Sequence, residues 1–131
     1  MTAVDIRIYE VGPRDGLQAE PTIVATEDKL RFLGMLADAG LREIETTSLV
    51  SPRAIPQLAD AEDVLRALDR RAAVRYPVLV PNQRGLDRAV AAGVDAICLM
   101  TEGSPDLSFS PEHPGAVLNG RISQLVWEAW R

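Results

Sequence analysis

An arginine stands beside an aspartate, Arg14-Asp15, inside the string Val-Gly-Pro-Arg-Asp-Gly-Leu-Gln at residues 11–18. A guanidinium stays charged whatever surrounds it and can stabilise negative charge that develops on an oxygen. A carboxylate offers hard oxygen ligands to a divalent cation. Adjacent glycines, Gly12 and Gly16, let a ligand approach the backbone. An isolated Arg-Asp pair fits a solvated surface turn equally well, so the elements around it decide the reading.

Residues 4–10, Val-Asp-Ile-Arg-Ile-Tyr-Glu, alternate with the two-residue period of a strand, and Gly12-Pro13 stops it. The pair therefore follows a strand's C-terminal end, the rim on which α/β proteins bind their ligands. A helix is expected from about 27 to 39, with Thr26 as N-cap, Glu27 and Asp28 in its first turn and Gly40 past its end. Leu30, Leu33, Leu36 and Ala37 form its apolar face. A second strand is expected over 41–46 and a helix capped by Asp60 over 61–68. A third strand follows over 74–80, a helix capped by Asn82 that stops at Gly93, and a fourth strand over 94–100.

Strand and helix thus alternate, which implies parallel strands joined by right-handed crossovers, in an open sheet or a barrel. Glu45 closes the second strand beside Thr46, Thr47 and Ser48, and its position aims it at the rim that carries Arg14. Cys98, in the apolar run Ala-Ile-Cys-Leu-Met, reads as a buried structural cysteine. As the sole cysteine it forms no internal disulfide, and a reducing, cytoplasmic location is expected.

The 131 residues suffice for one domain with a core, and 47% hydrophobic with 25% charged residues is a globular composition. A formal net charge of −5 argues against nucleic acid as a partner, and no apolar run is long enough to span a membrane. Within 101–131, Pro105, Pro111 and Pro114 with Gly103 and Gly115 predict irregular loop, followed by a short amphipathic helix or turn around Ile122, Leu125, Val126 and Trp130. Trp127 and Trp130 fit a core or a partner contact equally.

The string at 11–18 resembles the first-strand loop of the hydroxymethylglutaryl-CoA lyase family. Gly40-Leu-Arg-Glu-Ile-Glu-Thr-Thr-Ser48, Val50-Ser-Pro-Arg53, Pro56-Gln-Leu-Ala-Asp60 and Tyr76-Pro-Val-Leu-Val-Pro-Asn82 follow in that family's order. The resemblance runs over roughly residues 4–100. It implies a partial (β/α)8 barrel, about its first four strands: residues 1–100 are the N-terminal half of a lyase domain and 101–131 an atypical tail.

The implied reaction is metal-dependent cleavage of 3-hydroxy-3-methylglutaryl-CoA to acetoacetate and acetyl-CoA, a step of leucine breakdown. By resemblance, Asp15 binds Mg²⁺ or Mn²⁺, Arg14 stabilises the thioester enolate, Glu45 orients Arg14 or the substrate, and Gln18 and Ser48 contact the acyl-CoA. The family's other metal ligands have no counterpart, and His113, the sole histidine, lies outside any matching context. Ala19 and Pro21 stand where relatives carry asparagine and lysine. Since the strands expected from the family stop at four, the chain reads as a truncated form, inactive alone. Its exposed sheet edges would favour a homo-oligomer. Two other readings stand beside it: a related aldolase or Claisen condensing synthase, and a non-catalytic fragment or pseudoenzyme that acts by association.

Overall fold

The computed structural model describes residues 6–99; the readings for 101–131, with His113 and both tryptophans, lie outside them. The strands are β1 (Tyr9–Glu10), β2 (Glu43–Ile44), β3 (Thr47–Ser48), β4 (Val78–Val80) and β5 (Ile97–Leu99). The helices are α1 (Thr26–Asp38), α2 (Ala61–Ala67) and α3 (Gln83–Ala91). All pairings are parallel: β1 with β2, β3 with β4, and β4 with β5. The expected alternation is therefore present, with strands shorter than the spans expected for them.

β2 and β3 are two parts of one strand. Between them the Glu45 amide donates to the Glu10 carbonyl on one side, and the Thr46 amide donates to the Pro77 carbonyl on the other. On the β4 side, the carbonyls of Arg75, Pro77 and Leu79 accept from the amides of Ile44, Thr46 and Leu49. The acceptors advance by two residues each time, while the donors advance by two and then by three. One extra residue is accommodated at Thr47–Ser48, which is a β-bulge. The register agrees: Glu43 faces Arg75, but Ser48 faces Leu79.

The main core lies between the sheet and its helices. Leu33 and Ala37 of α1, Ile44, Val64 of α2, Val74 and Tyr76 form one buried cluster, edged by Leu30, Leu36, Leu41 and Leu68. Cross-strand partners in a sheet project to the same side, and successive residues to opposite sides. Ile44, Tyr76 and Val78 thus point to the helices, while Glu45, Leu79 and its partner Cys98 point to the other face.

Two helix ends close alike. The Gly40 and Leu41 amides donate to the Ala37 and Leu36 carbonyls, and the Gly93 and Val94 amides to those of Val90 and Ala89. This Schellman closure needs a left-handed residue, met by Gly40 (φ 98°) and Gly93 (φ 66°). Helix starts differ more from expectation. Asn82 caps α3 through its side chain, which accepts from the Gly85 amide at 3.0 Å.

Neither Thr26 nor Asp60 caps a helix through its side chain. Instead the Thr26 hydroxyl donates to Asp60 at 2.6 Å, and the buried Lys29 ammonium donates to Asp60 at 2.5 Å and to the Gln57 carbonyl at 2.6 Å. A buried cation needs a partner more than a helix end needs a cap, so the Asp60 carboxylate goes to Lys29.

The sheet curls away from the helices. The Tyr9 phenol of β1 and the Cys98 thiol of β5 lie near enough for each to shift the other. In a flat sheet those strands, three spacings apart, would be about 14 Å from each other, too far for the two side chains. Their nearness needs the curvature of a barrel wall, and the described residues are a partial barrel.

Candidate functional site

The concave face carries the site. After β1 the chain makes one wide helical turn, Gly12–Gly16, in which the amides of Arg14, Asp15 and Gly16 converge on the Val11 carbonyl at 3.1, 2.7 and 3.3 Å. Pro13, which has no N–H to place, is buried at its start. The turn packs against α1 and β3. This fixes where the two charged side chains leave the backbone.

Arg14 turns inward. Its Nε donates to Glu45 Oε1 at 2.5 Å and its Nη1 to Asp15 Oδ1 at 3.0 Å. Exposure separates the two acids: the Glu45 side chain is 1% exposed, Asp15 63% and Arg14 17%. Glu45 is thus a buried anchor and Asp15 an outward-facing acid, with the guanidinium between. Of the five N–H donors of a guanidinium, these pairs use two.

Glu45 has further neighbours on its face. Tyr9 lies beside it, and burial first, then Glu45, pushes the phenol well above its usual range. Cys98 feels the same charge: burial first, then Glu45, pushes the thiol up, against the lowering effects of Tyr9 and Arg14. Cys98 is half-buried rather than sealed in the core, which corrects the structural reading of that residue. Tyr9 was missed outright, and the signal available was its two-residue spacing from Val11 on a strand whose alternate residues share a face.

The other expected residues lie nearby. Ser48 is brought to the face of Glu45 by the bulge: in an unbroken strand residues 45 and 47 would share a side, and the extra residue substitutes Ser48 for Thr47. Its hydroxyl donates to the Leu79 carbonyl at 3.3 Å. Gln18 is half-buried just past the Gly12–Gly16 turn. Gly16 is exposed, and a side chain there would meet nothing within 4 Å, so the turn is open to an approaching molecule. For a metal ion, Asp15 offers one hard oxygen free of Arg14. Among the described residues no group of three or more His, Cys, Asp or Glu side chains is placed to hold one. They supply one ligand and not a complete set.

A sequence model of the HMGL-like family matches residues 5–110. The hydroxymethylglutaryl-CoA lyase YngG of Bacillus subtilis (strain 168) is 50% identical over 99 residues, 76% of this chain and 33% of that protein. The cytoplasmic 3-hydroxy-3-methylglutaryl-CoA lyase of Rattus norvegicus is 44% identical over 127 residues, 95% of this chain and 36% of that protein. A solved HMG-CoA lyase from Acinetobacter baumannii, in complex with coenzyme A and 3-methylmalate, superposes with a TM-score of 0.72 at 42% identity, over 76% of this chain and 33% of that one.

The chain spans about a third of the length of the curated relatives it matches. The Arg14 turn and the Glu45 strand both fall inside the matched stretch, and the chain belongs to the HMGL-like family.

Proposed function

We propose that residues 1–100 form the arginine side of a carbon–carbon lyase site that cleaves 3-hydroxy-3-methylglutaryl-CoA to acetoacetate and acetyl-CoA, a step of leucine breakdown in the cytoplasm. The observation that carries this reading is the Arg14 guanidinium, fixed on buried Glu45 at the C-terminal rim of the sheet and flanked by Asp15. Membership of a family whose matched relatives are named as lyases of this substrate supports it, as does the coenzyme A bound to the Acinetobacter relative.

Cleaving the bond drives an electron pair toward the thioester oxygen. The N–H donors of Arg14 not held by Glu45 and Asp15 face that charge, and they bind it more tightly as it grows. Glu45 holds the guanidinium in place, and Gln18 and Ser48 make polar contacts with the acyl-CoA. A divalent cation, Mg²⁺ or Mn²⁺, would lower the pKa of the substrate hydroxyl when bound. Asp15 gives it one oxygen, and its other ligands come from outside residues 6–99.

The test is a chimera in which residues 5–99 replace the matching stretch of the Bacillus relative. It is expected to release acetoacetate from 3-hydroxy-3-methylglutaryl-CoA. Arg14→Gln in the chimera should lower kcat by about 10²–10³-fold, the usual cost of losing one charge-stabilising donor group. The 131-residue chain alone should release none. A folded chimera whose Arg14→Gln variant keeps the full rate would overturn the reading.

A further inference from the structure

We propose that Gln57 is a positioning residue for the loop that carries the site: its side-chain amide donates to the Glu20 carbonyl at 3.0 Å and pins the far end of the segment that begins at Gly12. The catalytic meaning rests on the lyase reading, while the contact itself does not. Pro56-Gln57-Leu58-Ala59-Asp60 keeps its place in the family's order, yet the chemistry of the rim uses none of its residues.

The held segment is short and open. Beyond the Gly12–Gly16 turn the Ala19 amide donates to the Asp15 and Gly16 carbonyls at 3.3 Å each, and the Glu20 amide to the Leu17 carbonyl at 3.2 Å. Glu20 precedes Pro21, and the residue before a proline is pushed out of helical backbone, so the winding ends there. The last carbonyls of a helical turn have no partner within it. Gln57 supplies one from a neighbouring loop. The segment is thus set by β1 at one end and by Gln57 at the other, with Arg14, Asp15 and Gln18 between.

A side chain holds a loop only if its own backbone is held. Gln57 lies in the short turn Pro56–Leu58, which buries Leu58. Its carbonyl accepts from the buried Lys29 ammonium at 2.6 Å, and that cation is fixed in turn by Asp60 at 2.5 Å. Breaking such a pair leaves a buried charge alone, so the anchor is firm. The loop it grips is not: Asp15, Gly16, Ala19 and Glu20 are all exposed. Arg14 has separate support on Glu45, so the groups that depend on Gln57 are Gln18 and Asp15. In the lyase reading Gln18 binds the acyl-CoA before and during bond cleavage alike. Freeing the segment therefore weakens binding without slowing the chemical step.

Gln57→Met keeps the length of the side chain and removes the donor. In the chimera this variant should raise KM for 3-hydroxy-3-methylglutaryl-CoA about 2–10-fold, the worth of one neutral hydrogen bond, and leave kcat within about twofold. An unchanged KM overturns the proposal. So does a kcat that falls as far as KM rises, because Arg14 would then be what moved.

In the full 131-residue chain, backbone amide exchange at Ala19 and Glu20 should be about 2–10-fold faster in Gln57→Met. The Gly93 and Val94 amides that close α3 are the internal control and should be unmoved. Equal rates at Ala19 and Glu20 in the folded variant overturn the proposal. Should the variant not fold, the wild-type chain decides: the Gln57 side-chain amide must show an Overhauser contact to Glu20 or Pro21, and its absence overturns the proposal. An inactive wild-type chimera with loop exchange moved in this way sinks the lyase reading alone, and an active one with unmoved exchange sinks only the role of Gln57.

Discussion

Around the Glu45 carboxylate meet a guanidinium, a phenol and a thiol, and its charge changes what each can do. Because burial and Glu45 push the Cys98 thiol above its ordinary value, little thiolate exists at mildly alkaline pH. Alkylation of Cys98 by iodoacetamide at pH 8 is expected to be several-fold slower than that of a free cysteine, and faster in Glu45→Gln. Mass-spectrometric rates measure both, and equal rates in the two chains would contradict the shared charge. Arg14, Asp15 and Glu45 were legible because their types and their place after strands already implied a rim. Tyr9 and Cys98 were not, since a phenol and a thiol in apolar runs look the same whether they face helices or the concave side. Only the register, which is a property of strand pairs, tells those apart.

Among the elements, the helices match expectation better than the strands do. Leucine spacing, acidic first turns and terminal glycines act within one helix and can be read locally. Strand ends depend on which neighbour offers a hydrogen bond, so β4 keeps three of the seven residues expected over 74–80. Helix caps fail where a tertiary partner competes, as Lys29 does for Asp60.

A second tertiary pair, Arg88 with Glu62, ties α3 to α2 while Arg88 Nη1 holds the Leu49 and Val50 carbonyls beyond β3. The hydrogen bond from Arg88 holds Glu62 below its ordinary value. A depressed folded value means that the pair's stabilisation is present above the unfolded carboxylate range and is lost as pH falls through the folded one. Urea midpoints of the wild type and Glu62→Gln should therefore differ modestly at pH 7, because the pair is partly exposed, and converge in acid. A gap that persists at low pH would assign the effect to packing.

For the molecule as a whole, stability rests on the layer between sheet and helices. Leu33 is 1% exposed at its centre, whereas Met35, on the same helix, is 59% exposed. Leu33→Ala should cost about 2–5 kcal/mol in urea unfolding, a large share of a small domain's stability. Met35→Ala should stay within about 0.5 kcal/mol. The alternation of elements made this layering readable from the chain, but it left open sheet and barrel equally allowed. Curvature was the missing quantity, and the nearness of Tyr9 to Cys98 supplies it.

The surplus residue at Thr47–Ser48 has one more consequence. Excising Thr47 would straighten the pleat without removing any charged group of the rim. The leucine pattern that drives folding would be untouched, so a well-folded protein is the expected product. Everything downstream of the cut would stay in step with the neighbouring strand, because the residue removed is the one that strand leaves over. Ser48 would follow Thr46 directly and keep its place beside Glu45. Excising Ser48 instead would turn Thr47 to that side, one hydroxyl for another, so the polar lining of the cleft survives either cut.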